Sequence, residues 1–453
     1  MSEVRGATSP SGAPPERSSI VKIVSASMLG TTVEWYDFFL YGVAAAIVFP
    51  AVFFPDADPT AGTLLSLGTF AIGFIARPLG GLVFGHYGDK IGRKKLLVLS
   101  LLMMGVSTFL IGLLPGYATI GIAAPLLLVL LRLVQGFALG GEWGGAVLIV
   151  SEHGDPARRG FWASWPQAGA PAGQLLANGL LAVMAVVQSE AAFESWGWRI
   201  PFLLSAVLVL IGLYVRLSVE ESPVFRDAQA RAAERAAAGT RDVMPILDVL
   251  RLYPREVLTA MGARFAENVG YYIFTIVVST YMQVRFGLPT SFVLGAVLIG
   301  AAVHIVTIPI WGAVSDRVGR RPVYLFGAAG VGLWAFAFFA LLDTQDFALV
   351  SIAVVVGLLF HGAMYGPQAA FLSELFGTKV RYSGVSIGYQ LASVLAGGLA
   401  PLIAASLLAV YGNGYAIAIY VAACSVVTIV AVATYSETRT RRLDADDALP
   451  PAR

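Results

Sequence analysis

Charge is the first thing this chain lacks. Only 13% of its 453 residues are Asp, Glu, Lys or Arg, and 57% are hydrophobic, against about 25% charged in an average soluble domain. So few charges cannot cover a water-facing surface on a chain of this length, so much of its surface faces something apolar. The mean hydropathy of +0.76 says the same. Cysteine is scarcer still: Cys424 stands alone, which excludes an intrachain disulfide. The four histidines, His86, His153, His304 and His361, do not have zinc-ligand spacing, so no metal is expected. No G-x-x-x-x-G-K-[ST] segment is present to cradle a nucleotide, and no nucleophile–base pattern suggests an enzyme. Net charge is +2 with basic residues scattered over short loops, which leaves no patch for nucleic acid. No short apolar segment with a cleavage site follows the start, so no signal peptide is expected. Residues 1–23, rich at first in Ser, Pro, Gly and Ala, read as a disordered tail.

What is present is long apolar runs. A membrane span needs about 20 such residues, and candidates fall at 24–50, 63–86, 95–114, 119–150, 160–187 and 199–217. They resume at 255–284, 290–314, 322–342, 347–373, 383–409 and 414–435. The stretch 218–254 is charged and Ala-rich, and reads as a linker between two six-span halves, 24–217 and 255–435, with a tail at 436–453. The expected fold is therefore all-α, with twelve transmembrane helices in two bundles. If the N-terminus is cytoplasmic, all but five of the 30 basic residues fall in cytoplasmic segments. The exceptions are Arg77, Arg132 and Arg264 inside spans, and Arg199 and Arg285 at the outer face. By the positive-inside rule both termini are then cytoplasmic.

Two loops repeat one another. Gly85, Asp89, Gly92 and Arg93, after span two, match Gly312, Asp316, Gly319 and Arg320, after span eight, at a constant offset of 227. A second pair agrees: Glu152 precedes Arg159 by seven residues, and Glu374 precedes Arg381 by seven. Two parallel six-helix halves are a standard transporter plan, with the site between them near the midplane.

The loop pattern G-x-x-x-D-x-x-G-R-[KR] resembles the signature of the major facilitator superfamily. Further segments narrow the resemblance to its metabolite:proton symporter family: VEWYDFFLYG (33–42), ARPLGG (76–81), RLVQGFALGGEWGGA (132–146), SWGWRIPF (195–202), EESPVF (220–225) and ELFGTKVRYSG (374–384). The wording is closest to the shikimate-transporter-like branch. The resemblance implies a monomer in the cell (inner) membrane that moves a small carboxylate or zwitterion, such as shikimate, α-ketoglutarate, citrate, proline or betaine, with protons and no other cofactor. It also implies that the repeated loops, with Glu152, Arg159, Glu374 and Arg381, lock the cytoplasmic side. A uniporter, a proton antiporter or a solute-sensing receptor of the same fold is the alternative.

A charge at mid-membrane costs about 2.5–3.5 kcal/mol on insertion scales and marks a pathway or a pair. Span one carries Glu34, Asp37 and Tyr41 on one face. Glu34 or Asp37 is the expected proton site, unless both are fixed partners of an arginine. Span four carries Arg132 and Gln135, and Arg132 is the expected docking point for a substrate carboxylate, because guanidinium matches carboxylate in a fork. The competing role is to neutralise Asp37 or Glu34. Span seven carries Arg264, Glu267, Asn268 and Tyr271, and span ten carries His361, Tyr365 and Gln368. An offset of 230 lays Asp37 on Glu267, so Glu267 joins the proton candidates, and the faces read as two walls of one cavity. His304 reads as a packing histidine. Arg77 reads as a gating or structural residue, and Gly140, Gly141, Gly144 and Gly145 as helix-packing positions.

Overall fold

A computed structural model describes residues 17–91, 93–140, 150–151, 155–218, 249, 251–377 and 381–441. Each expected span has its helix. The first half holds α1 (Arg17–Ile47), α2 (Pro59–Ile91), α3 (Arg93–Leu113), α4 (Ala123–Gly140), α5 (Arg159–Val187) and α6 (Arg199–Ser218). In the second half, α7 runs Pro254–Tyr272, widens into a π turn at Ile273–Val277 and ends as Val278–Phe286. Then come α8 (Thr290–Val318), α9 (Arg320–Leu342) and α10 (Phe347–Leu375). The last two are α11 (Arg381–Ala392, a π turn at Ser393–Gly398, then Ala400–Tyr411) and α12 (Tyr415–Ala433). Residues 17–23, expected in the N-terminal tail, are helical, because Ile20 and Val24 find apolar partners in Val150, Trp162 and Trp165. Most of 218–254 lies outside the described residues.

The packing of the first half recurs in the second. Helix α1 lies on α5, α2 on α4 and α3 on α6; likewise α7 lies on α11, α8 on α10 and α9 on α12. The halves meet where α5 crosses α8 and α2 crosses α11. Gly312 of α8 is needed at the first crossing: a Cβ there would strike the Gly160 carbonyl of α5. Among the described residues, nine helices are long and apolar enough to span a membrane by composition alone. The exceptions are α3, whose apolar part is shorter (Val98–Leu113), and the two helices α1 and α7. Those two carry the intramembrane carboxylates Glu34, Asp37 and Glu267, and residues 30–46 and 266–282 on them are buried throughout. The outer helices instead present apolar stripes such as Leu99, Leu102, Val106, Leu110 and Leu113 on α3, the composition lipid tails require.

An aromatic layer fills the middle of the molecule. Phe38 and Phe39 of α1, with Phe70 and Phe74 of α2, meet Tyr271 and Tyr272 of α7 at centroid separations of 5.5–6.2 Å. The two polar walls expected to line one cavity are thus held apart by rings in this conformation.

Candidate functional site

The first-half wall is built where α2 and α4 touch backbone to backbone. A Cβ at Gly140 would fall on the Arg77 carbonyl, so only glycine lets the helices come close enough to bring Arg77 and Arg132 to the same space. That space is a cavity of about 10 Å³, lined by Asp37, Phe38, Arg77, Met104, Arg132 and Gln135, among others. Ligand sites measure about 300–1,000 Å³, so it must widen to admit a solute.

Its charges are largely uncompensated. Asp37 is 1% exposed, and neither carboxylate oxygen has a hydrogen-bond partner among the described residues. Arg132 donates from Nη1 to Gln135 Oε1 at 3.1 Å, and Gln135 Nε2 donates to Thr108 Oγ1 at 2.8 Å. Among the described residues, Nε and Nη2 of Arg132 have no hydrogen-bond partner, nor do Nε and Nη2 of Arg77. Aromatic faces stand in for anions. The Arg132 guanidinium lies 4.2–4.9 Å from the centroids of Tyr41, Phe38 and Phe70, and that of Arg77 lies 4.1 and 4.6 Å from Phe74 and Phe38. Desolvated contacts of this kind contribute about 2 kcal/mol or more each, but they leave the N–H donors unused. No hydrogen bond joins Asp37 to Arg132, so the arrangement in which they hold each other is not the one seen. Glu34 is buried on α1 but is not among the residues named around this space. Tyr41 lies beneath Arg132 and donates to Thr69 at 2.7 Å.

The second-half wall is a denser network, in which Arg264 Nε and His361 Nε2 are the buried side-chain atoms of Arg264, Glu267, Gln368 and His361 that lack a hydrogen bond among the described residues. Arg264 pairs with Glu267 at 3.2 Å and donates to Gln368 Oε1 at 2.8 Å, Asn268 Oδ1 at 3.2 Å and Ser393 Oγ at 3.3 Å. Its guanidinium carbon lies 3.4 Å from the centroid of the Tyr389 ring. Gln368 Nε2 donates to Glu267 Oε2 and to the Tyr324 hydroxyl, both at 3.1 Å. His361 Nε2 approaches Glu267 Oε1 at 3.4 Å. So Arg264, Glu267, Asn268, His361 and Gln368 come together, as their helical spacing predicts. Tyr271 instead reaches across the halves and donates to Gln174 Oε1 at 2.7 Å.

Three groups of contributors were not anticipated. Arg77 sits on the cavity wall, where the sequence suggested a gate. Tyr389 and Ser393 reach Arg264 from α11. Helix α5 supplies Gln174 and also Gln167, whose Nε2 donates to Gln368 at 3.4 Å. Gln167, Gln174 and Asn178 share a helical face at i, i+7 and i+11, a signal that was available.

At the end of the bundle that holds the α8–α9 turn, the repeated motif ties the halves together. Asp316 accepts from the backbone N–H groups of Gly160 and Phe161 at 2.8 Å each, capping α5 from the other half. Arg159 pairs with Glu374 at 3.0 Å, and Arg320 pairs with Asp316 at 2.6 Å and Glu374 at 3.4 Å. Of the first-half copy, Gly92 and Glu152 lie outside the described residues, as do the side chains of Asp89 and Arg93; in the second half, so does the side chain of Arg381. Gly141, Gly144 and Gly145 are likewise outside. The segment after α12 docks on this cluster. Thr438 Oγ1 donates to Glu374 Oε2 at 2.7 Å, and Glu437 accepts from the backbone N–H groups of Arg320, Arg321, Thr438 and Arg439. Partial burial raises the Glu437 carboxyl, but those four donors outweigh it and hold the group below the ordinary glutamate range.

The profile of the family described as Sugar (and other) transporter matches residues 22–448. The inner membrane metabolite transport protein YhjE of Escherichia coli K12 is 45% identical over 428 residues, covering 93% of this chain and 95% of that protein. The shikimate transporter of the same strain is 43% identical over 399 residues, covering 88% and 90%. Its proline/betaine transporter is 36% identical over 427 residues, covering 93% and 84%. Among solved structures, the proton:xylose symporter XylE bound to 6-bromo-6-deoxy-D-glucose superposes with a TM-score of 0.73 at 19% identity, covering 94% of this chain and 98% of that one. That likeness speaks for the fold.

Proposed function

The chain belongs to the sugar (and other) transporter family, a multi-pass membrane transporter of the major facilitator fold, and we propose that it is a proton symporter for a small organic acid or zwitterion. The observation that carries this reading is the set of unused polar atoms around one buried space: both oxygens of Asp37 and two nitrogens each of Arg77 and Arg132. A buried donor or acceptor left unmade costs about 1–3 kcal/mol. A ligand carboxylate between Arg77 and Arg132 would recover several such costs at once, in the forked geometry that guanidinium favours. Asp37 then has two uses. Ionised, it is a counter-charge for the empty site or for an ammonium group on a zwitterion. Protonated, it leaves the guanidinium pair free for an anion. For an anionic solute, loading a proton and loading the solute therefore favour each other.

The names of the shikimate and proline/betaine transporters support a carboxylate-bearing cargo. The basic bias of the loops supports cytoplasmic termini and an inner-membrane location. A site built within one chain suits a monomer, and nothing beyond the proton is required as coupling agent. In alternating access, the Asp316 cap and the Arg159–Glu374 pair act as the lock on the cytoplasmic side. Water entering that side would rehydrate these charges, so opening is offset by recovered solvation. Gly85, Asp89, Gly92 and Arg93 would form the matching half of the lock.

The test is uptake in proteoliposomes under an imposed pH gradient, with a panel of shikimate, α-ketoglutarate, citrate, proline and glycine betaine. At least one should accumulate above its equilibrium ratio and lose that excess on adding a protonophore. Accumulation indifferent to the protonophore would sink proton symport.

A further inference from the structure

The second half contains a line of titratable side chains that the proposed substrate site does not use. His361 Nδ1 of α10 lies 3.0 Å from His304 Nε2 of α8, and His361 Nε2 lies 3.4 Å from Glu267 Oε1 of α7. The rings are sealed, His304 at 0% and His361 at 1% exposure. Among the described residues, His304 Nδ1 at the far end has no hydrogen-bond partner, and His361 Nε2 meets Glu267 as a close contact that is not yet a formed hydrogen bond. Two ring nitrogens 3.0 Å apart share one proton between them. Were it on His361 Nδ1 of a neutral ring, a bare lone pair would face the Glu267 carboxylate. The pattern that suits Glu267 instead puts protons on both Nε2 atoms and leaves His304 Nδ1 bare, as an acceptor with nothing to accept from.

We propose that His304, His361 and Glu267 form a proton relay, and that the proton's arrival on Glu267 releases Arg264 to bind substrate. A proton adds to His304 Nδ1; the His304 Nε2–H bond breaks and its proton passes to His361 Nδ1. The His361 Nε2–H bond then breaks and its proton passes to Glu267 Oε1. One proton has entered, both rings are neutral, and both have changed tautomer. The same steps in reverse expel it. Neutral Glu267 no longer offsets the charge of Arg264, which is left with the amides of Gln368 and Asn268, the Ser393 hydroxyl and the Tyr389 ring. Its guanidinium is then open to a carboxylate. The groups facing the relay are Arg264 and Tyr271 of α7, Tyr324 of α9, Tyr365 of α10 and Tyr389 of α11. Of these only Arg264 is charged at neutral pH, and α5 contributes the amides Gln167 and Gln174. Among the described residues, Arg264 is the one charged neighbour of the relay.

The relay rests on the symport reading, and two readouts separate their failures. The first needs no substrate. Protein carrying ¹⁵N-labelled histidine, with His86→Gln and His153→Gln to leave two rings, is followed by NMR in nanodiscs. A coupling across the shared hydrogen bond between one Nδ1 and one Nε2 is expected, with Glu267→Gln shifting the titration of both rings. Two rings with no such coupling, titrating independently, overturn the relay even if the protein proves to be a symporter. The second readout is transport of shikimate and glycine betaine. His304→Gln should lower pH-driven accumulation by about tenfold or more, with counterflow exchange falling less. Undiminished accumulation in that variant overturns the relay while leaving the symport reading intact.

Discussion

The two halves place charge inside the membrane in opposite ways. In the second half, Arg264 uses both terminal nitrogens and Glu267 meets Arg264, Gln368 and His361. In the first half, Asp37, which the repeat aligns with Glu267, has no hydrogen-bond partner among the described residues, and Arg77 and Arg132 face rings more than acceptors. A denser network gains less by meeting a ligand, because most new bonds replace old ones. An open one gains the bonds it lacks. Symmetry of sequence thus conceals a division of labour: the first half is poised to bind as it stands, and the second binds only after a proton releases Arg264.

The largest expected break in this comparison is in stability. Glu267→Gln leaves a buried arginine without its counter-charge, at a cost of about 3–5 kcal/mol, and should lower the thermal midpoint in detergent. Asp37→Asn removes a charge that nothing pairs, and should leave the midpoint unchanged or raise it. Equal losses from both would erase the distinction. Next, the same Asp37→Asn should reduce pH-driven accumulation about 100-fold or more while sparing some exchange, seen as counterflow of labelled shikimate or glycine betaine. Third, Arg132→Lys and Arg77→Lys keep the charge but lose the fork. Each should raise KM by roughly tenfold, the equivalent of about 1.4 kcal/mol, with Tm little changed. KM values like the wild type's would move the solute elsewhere.

The smallest effect concerns the docked tail. Because its carboxyl is held below the ordinary range, Glu437 strengthens docking above that range, and the contribution disappears as pH falls through the lowered value. A spin label at Thr440→Cys should be immobilised at neutral pH and freed in acid. With Glu437→Gln added it should be mobile at both; immobility throughout would show that other contacts hold the tail.

Much of this was legible in the sequence. Long apolar runs gave the helices to within a few residues, and the loop repeat gave the two halves. Helical spacing grouped Arg264, Glu267 and Asn268 correctly, because i, i+3 and i+4 fix neighbours within one helix. What lay beyond it was contact between distant segments. Hydropathy cannot tell an apolar residue facing lipid from one facing the other half, so the Phe38–Tyr272 layer was hidden in plain apolar sequence. The place of Arg77 on the cavity wall was not legible, because it depends on how closely α2 approaches α4. The docking of Glu437 and Thr438 onto Arg320 and Glu374 joins residues 64–117 positions apart. No periodicity reports that.

The claim most in need of trial is that the first-half wall takes up a proton together with the solute. Lumenal pH should be followed in proteoliposomes when shikimate or glycine betaine is added outside, for wild type and Asp37→Asn side by side. The account predicts acidification with the wild type and none with the variant. Equal acidification by both would contradict it.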